Sequence, residues 1–316
     1  MATSAMIAVT VGVSDVDSSL RLFRDTMGLS VEHDAPVGPE LAAFWGLEAG
    51  NRQRLVELSY GGYRAGRLRL LSVDRASPLV RDDYGASSPD SASDIGPKAI
   101  DFYTRPPISR AIEVMKRAGC VQRSEPIRYE IGPVESEELL FSGPDDVPML
   151  IMVGHRHPPS SLRSATLPGL FSEIPTTSVI CADLTESRRF YGEGLGLATG
   201  TDAEVKEPYT DLACRLTGVP SGTRVALLAY LKPGEPSGKL LLVHFFGASR
   251  RRLSGRMRPG HRGLSLFTYR SDDLPALERR LNTIGATFVA RRTLVNGRER
   301  MLVRGPNEEL IEIIAS

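Results

Sequence analysis

The 316-residue chain is poor in cysteine (three), tryptophan (one) and histidine (five), and its 39 Lys+Arg are almost balanced by 38 Asp+Glu. Cys120, Cys181 and Cys214 are odd in number and widely spaced. That argues against a disulfide framework and fits reduced thiols, so a cytoplasmic protein is expected. A formal net charge of +1 lacks the basic excess of a dedicated nucleic-acid binder, and aromatics are too few to stack bases. No apolar run approaches the ~20 residues that cross a bilayer, so no membrane partner is expected. Met1–Val13 is apolar but has no Lys or Arg ahead of it, unlike a secretory signal. No phosphate-binding or dinucleotide-binding glycine motif is present. No Ser or Cys nucleophile stands near a base in sequence. The expected cofactor set is therefore empty.

What is present is a repeat. Asp15–Leu29 (DVDSSLRLFRDTMGL) lies over Asp183–Leu197 (DLTESRRFYGEGLGL) at an offset of 168 residues, sharing two glycine-leucine ends, an aspartate, a serine and an arginine. Gly66–Val73 lies over Gly238–Phe245, Ala111–Gly119 over Leu277–Gly285, and Gly143-Pro144-Asp145 over Gly305-Pro306-Asn307. Four matches in one order indicate two related halves of about 150 residues, the size of ordinary domains. The boundaries fall at 1–153, a Pro/Ser-rich linker at 154–170, and 171–316.

Each half reads as strand, helix and three strands, used twice. Ile7–Val13 is short and β-branched, which suits a strand. Asp15 is placed to cap a helix in which Leu20, Phe23 and Met27 recur at helical spacing, and Gly28 ends it. Arg54–Leu58, Arg67–Val73, Ala99–Thr104, Glu138–Phe141 and Pro148–Val153 read as strands, and Ser109–Ala118 as a helix. The fold class is α+β.

Four strand–helix–three-strand units in one chain resemble the vicinal oxygen chelate superfamily, which includes glyoxalase I, bleomycin-resistance proteins and extradiol dioxygenases. The stretches at 15–29 and 183–197 carry this resemblance. So does Gly305-Pro306-Asn307 followed by Leu310-Ile311-Glu312-Ile313, which is similar to the family's closing strand. The resemblance implies cupped mixed sheets with helices packed outside. It also implies, in metal-using members, a His on a first strand, a His or Glu on the first strand of the second half and a Glu on the last. Here those positions hold Ala8 and Thr176, then Ala99 and Ser265, and only Glu312 survives, opposite Leu150 or Met152. One carboxylate cannot hold a catalytic ion that needs about three protein ligands. No metal residues are therefore assigned.

Two residues stand out as acid–base candidates. Glu312 shares a strand face with Leu310 and Ile314, and an apolar cavity around it would raise its pKa. His244 shares a face with Leu240 and Leu242, and imidazole moves protons near neutral pH. Thr176, Ser178, Ser265 and Tyr269 fall where the resemblance points side chains inward, and His261 and Arg262 are the further candidates for substrate binding. Arg250, Arg251, Arg252, Arg256, Arg258 and Arg262 form a basic run that faces a counterpart rich in acid: Asp82, Asp83, Asp90 and Asp94. Such runs suit anion clamping or mutual attraction of the two loops, and are most often solvated surface. His155 and His157 have the spacing of a metal pair without partners in sequence.

The reading expected from these features is a metal-independent lyase, isomerase or cyclase. It would use Glu312 and His244 in a cavity of the C-terminal half, on a mid-sized, partly apolar oxygenated metabolite. The alternative is metal-free sequestration of such a molecule, and a third is a metal enzyme with ligands relocated to His244, His261 and Glu312. A monomer or homodimer with a small-molecule ligand is expected.

Overall fold

In the computed structural model, the residues described are 3–48, 53–81, 92–131, 134–156, 169–207, 209–248 and 251–316. Of the residues singled out above, Asp82, Asp83, Asp90, His157 and Arg250 lie outside them.

Unit 1 comprises β1 (Ala8–Val13), α1 (Val16–Leu20, continued as a π-helical turn over Arg21–Thr26), β2 (Ser30–Pro36), α2 (Pro39–Trp45), β3 (Arg54–Ser59) and β4 (Arg67–Ser72). Unit 2 comprises β5 (Gly96–Tyr103), α3 (Ile108–Arg117), β6 (Val121–Gln122), β7 (Ile127–Ile131), β8 (Val134–Ser142) and β9 (Pro148–Arg156). Unit 3 repeats unit 1: β10 (Thr176–Ile180), α4 (Leu184–Ser187, continued as a π-helical turn over Arg188–Gly194), β11 (Ala198–Glu204), α5 (Tyr209–Thr217), β12 (Val225–Leu231) and β13 (Lys239–Phe245). Unit 4 comprises β14 (Gly263–Ser271), α6 (Leu274–Thr283), β15 (Thr287–Val295), β16 (Arg298–Arg304) and β17 (Leu310–Ala315). The first helices of units 1 and 3 start as the sequence dictates. The side chain of Asp15 accepts from the Ser18 N–H, and that of Asp183 from the N–H groups of Thr185 and Glu186. Both helices then widen, with Met27 N bonded to Leu22 O and Leu195 N to Phe190 O, five residues back.

The strands form two sheets. One runs β15-β16-β17-β14-β1-β4-β3-β2, and the other β11-β12-β13-β10-β5-β9-β8-β6, with β7 beside β8. Unit 1 thus completes its sheet with unit 4, and unit 2 with unit 3. The two halves, 1–153 and 171–316, are therefore interleaved, each sheet taking one unit from each. β1 pairs antiparallel with β14 and β10 with β5, while β4 and β13 lie parallel on their other sides.

A two-fold cross-tie lies ahead of β1 and β10. Met6 N bonds Gly238 O and Ile174 N bonds Gly66 O, at 3.0 and 3.3 Å. Gly66 and Gly238 have φ of 68° and 73°, and a Cβ on either would stand 2.3 Å from the carbonyl oxygen of Ile174 or Met6. Only glycine permits that approach. The tie links the segments that lead into β1 and β10, whose antiparallel partners are β14 and β5.

Helices α1, α3, α4 and α6 lie on the outer faces of the sheets and share one apolar core that draws on both. Phe23 of α1, for example, meets Phe102 of β5 with ring centroids 6.2 Å apart. The two Gly-Pro turns of the repeat have one job. Asp145 accepts from Ser14 N at 2.7 Å, and Asn307 accepts from Ala182 N at 2.9 Å, so each turn clips the end of a neighbouring unit's first strand. Asn307 is fully buried and also donates to Ser187 Oγ and Glu309 Oε1. Asn307→Ala strands these partners, and a buried group left unsatisfied costs of order 1–2 kcal/mol. A matching drop in unfolding free energy by urea titration is the expected outcome, and an unchanged midpoint would contradict the clip.

Candidate functional site

Each sheet has a concave face, and the two differ in chemistry. In the sheet of units 1 and 4, that face is filled by ion pairs. Glu312 of β17 is fully buried and accepts from Arg300 at 2.8 Å, Thr268 Oγ1 at 3.0 Å, Trp45 Nε1 at 3.2 Å and Arg69 at 3.4 Å. Arg69 also pairs with Glu57 at 2.7 Å, and Arg67 with Glu57 at 2.6 Å. Trp45 comes from α2, which closes this cup.

The other cup, between units 2 and 3, is mostly empty and apolar. It holds about 760 Å³ of atom-free space, mouth included. Leu140, Leu150, Ile180, Val225, Leu227, Leu241, Val243 and Phe245 project from the sheet into it. Tyr209, Ala213, Leu216 and Thr217 cover it from α5. Helices α2 and α5 are repeat-equivalent insertions between the second and third strands of their units, one sealing a filled cup and the other roofing an open one.

Six polar residues interrupt the apolar lining: Lys98, Tyr129, Glu138 and Ser178 on the sheet side, and Tyr209 and Thr217 on α5. Glu138 of β8 is buried, and the phenol of Tyr129 on the adjacent β7 donates to its Oε1. Burial pushes the Glu138 carboxyl up to about 7, with the Tyr129 and Ser136 hydroxyls working the other way. Asp101 stands on the same face of β5 as Ala99 and is 1% exposed. Among the described residues neither of its oxygens finds a hydrogen-bond partner. Burial first, and the Glu138 charge second, hold it well above the usual carboxylate range. A charge on Glu138 thus disfavours ionisation of Asp101, against the pull of the Ser178 hydroxyl.

The residues expected from sequence scatter. Ser178 lines the open cup, and Thr176 shares its strand face. Glu312 is in the other sheet, locked by two arginines. His244 belongs to the open-cup sheet but points to the outer face, since Leu241, Val243 and Phe245 are the β13 residues that reach the cavity. Its Nδ1 lies 3.0 Å from Cys181 O, and its ring meets Phe246 edge-on. Glu312 and His244 therefore do not converge, and the expected acid–base pair is corrected. The relocated ligand set His244, His261 and Glu312 is likewise dispersed.

Ser265 bonds Thr10 O, and Tyr269 lies on the face opposite the inward Thr268, in the shared core. The inward positions on β14 are the alternate ones. His261 is held by Arg256 O and Arg258 Nε within its loop, where burial and Arg258 lower its pKa. Arg262 bonds Ser77 O and Asp145. Both fasten the loop instead of lining a cup. The attraction of the basic and acidic loops is visible in Arg251–Asp94 at 2.7 Å. His155 pairs with Glu137 at 3.7 Å.

The donor set does not fit a family-type metal centre. Among the described residues no three His, Cys, Asp or Glu side chains gather. The inward positions of the filled cup carry Ala8, Arg69, Thr268 and Glu312, and an arginine takes the place of a ligand. In the open cup Glu138 is the one carboxyl on the wall, with Lys98 and hydroxyl groups as the other polar lining and Asp101 behind it, too few donors for a metal centre.

Comparison with known proteins agrees with this architecture. Residues 173–313 match the glyoxalase/bleomycin resistance protein/dioxygenase superfamily. Glyoxalase I from Zea mays superposes with a TM-score of 0.63 at 12% identity, covering 98% of this chain and 92% of its own. A proposed dioxygenase from Bacillus subtilis subsp. subtilis str. 168 superposes with a TM-score of 0.63 at 12% identity, over 99% of this chain and 86% of its own. No curated protein matches the chain. The chain has the vicinal oxygen chelate fold, with two modules. Among the described residues no helix is long and apolar enough to cross a membrane.

Proposed function

We propose that the open cup binds a mid-sized, largely apolar oxygenated metabolite and that Glu138 moves a proton on it, as in a metal-independent lyase or isomerase. The observation that carries this reading is the buried carboxyl of Glu138 on the wall of an apolar cavity, where burial pushes it up to about 7. A base poised near ambient pH is efficient in both taking and returning a proton. Tyr129 orients the carboxyl by its hydrogen bond. Asp101, behind it, acts as a positioning residue whose proton or charge sets that of Glu138. Ser178 and Lys98 supply polar anchors for a ligand oxygen, and the apolar walls strengthen these contacts by excluding water.

The test begins with native mass spectrometry of the protein against a panel of apolar ketones, lactones and phenols, followed by turnover assays on each binder. Glu138→Gln is expected to retain binding and to lower turnover by roughly 10²–10⁴-fold, the usual worth of a positioned acid or base. Binders that are never converted, with Glu138→Gln altering affinity alone, would replace catalysis with sequestration. The predominance of apolar residues in the lining favours that second reading.

A further inference from the structure

At the β1 end of the filled cup lies a small cavity walled by Ile7, Ala8, Glu57, Arg64, Arg67, Arg69 and Arg270. Four guanidinium groups surround one carboxylate. Glu57 spends one oxygen on Arg67 and the other on Arg69. Arg64 and Arg270 form no ion pair among the described residues, although Glu235 and Asp272 share a neighbouring cavity wall with them. Arg298 adds a further positive charge, and burial together with Arg298, Arg67 and Arg69 lowers the pKa of Arg270, against the pull of Glu57. Ala8 forms part of the wall with a single methyl group, leaving space above it.

We propose that this cavity is a binding site for a phosphoryl-type dianion, separate from the open cup and independent of its function. Uncompensated like charges around a cavity are costly in isolation and are relieved by a bound counter-ion. Arg64, Arg67, Arg69 and Arg270 outnumber the wall carboxylate Glu57 by three charges, or by two once the Glu312 that Arg69 also reaches is counted, so a dianion offsets the excess more fully than a monoanion. The planar guanidinium fork gives paired N–H donors to oxygens on one centre. Arg67 and Arg69 are pre-oriented by Glu57, while Arg64 and Arg270 have donors to spare at the mouth.

The experiment is calorimetric titration of the full chain with inorganic phosphate at constant ionic strength, with chloride and succinate as comparison anions. Saturable phosphate binding is expected, tighter than succinate, with Arg64→Ala and Arg270→Ala each weakening it about tenfold or more and Arg270→Lys weakening it less. Circular dichroism melts confirm that each variant is folded. No saturation beyond that of chloride, succinate binding as tightly as phosphate, or phosphate affinity unchanged in both alanine variants would each overturn the proposal.

Discussion

Glu312→Ala is expected to destabilise the protein by about 3–5 kcal/mol, the usual loss when one partner of a buried charge network is removed. The carboxylate is fully buried, and Arg69 and Arg300 that hold it are only 12% and 13% exposed. Its removal leaves two guanidinium groups with little water to replace it, and frees the indole N–H of Trp45 beneath α2. A urea titration reads the loss directly. If the cost comes from stranded charge, Glu312→Leu with Arg300→Met recovers part of it, because an apolar replacement of a whole pair is often neutral. A loss under about 1 kcal/mol would mean that water reaches the site. Ligand binding in the open cup should survive, since Glu312 lies in the other sheet.

The second large effect concerns pH. Glu138 has a folded-state pKa of about 7 against an ordinary 4.5. Between those values the folded state binds more protons than the unfolded, so stability falls as pH rises. The contribution is fully present below about pH 4.5 and is lost through about pH 7. Comparing about pH 5 with about pH 8, this group alone removes about 2–3 kcal/mol. Asp101 adds to the same trend. His261, with its lowered pKa, opposes it by favouring higher pH. The measurement is therefore the gap between the wild type and Glu138→Gln at both pH values. The variant should gain on the wild type by that amount on going alkaline. A constant gap would show that the carboxyl ionises as freely in the folded protein as in the unfolded chain.

The fold was legible because glycine, proline and capping aspartates mark element ends whatever the partner. Asp15, Asp183 and the Gly-Pro turns all sit where the repeat places them. Which units pair was not legible, because a repeat fixes equivalence and says nothing of which open edge meets which. Helices α2 and α5 were missed for their brevity, 7 and 9 residues. His244 was misread because β13 is apolar on both faces (Leu240 and Leu242 on one, Leu241 and Val243 on the other), so alternation does not say which face is hollow. The signal that singled out Glu312, a lone acid in an apolar strand, also marks Asp101 in Ala-Ile-Asp-Phe-Tyr, whereas Glu138 is one of three glutamates in β8 and carries no such mark. Only the surroundings separate Glu312 from Glu138, two arginines in one case and a hydrophobic cavity in the other.

The nesting of one sheet inside the chain order of the other bears on how the polypeptide reaches this state during synthesis. Units 2 and 3 are consecutive and can zip together as soon as they leave the ribosome, whereas β1 must await β14, more than two hundred residues downstream. Until then β1 presents a bare hydrogen-bonding edge, the kind of surface that invites intermolecular pairing. Loss of β14 itself would leave β1 permanently without its mate on that side.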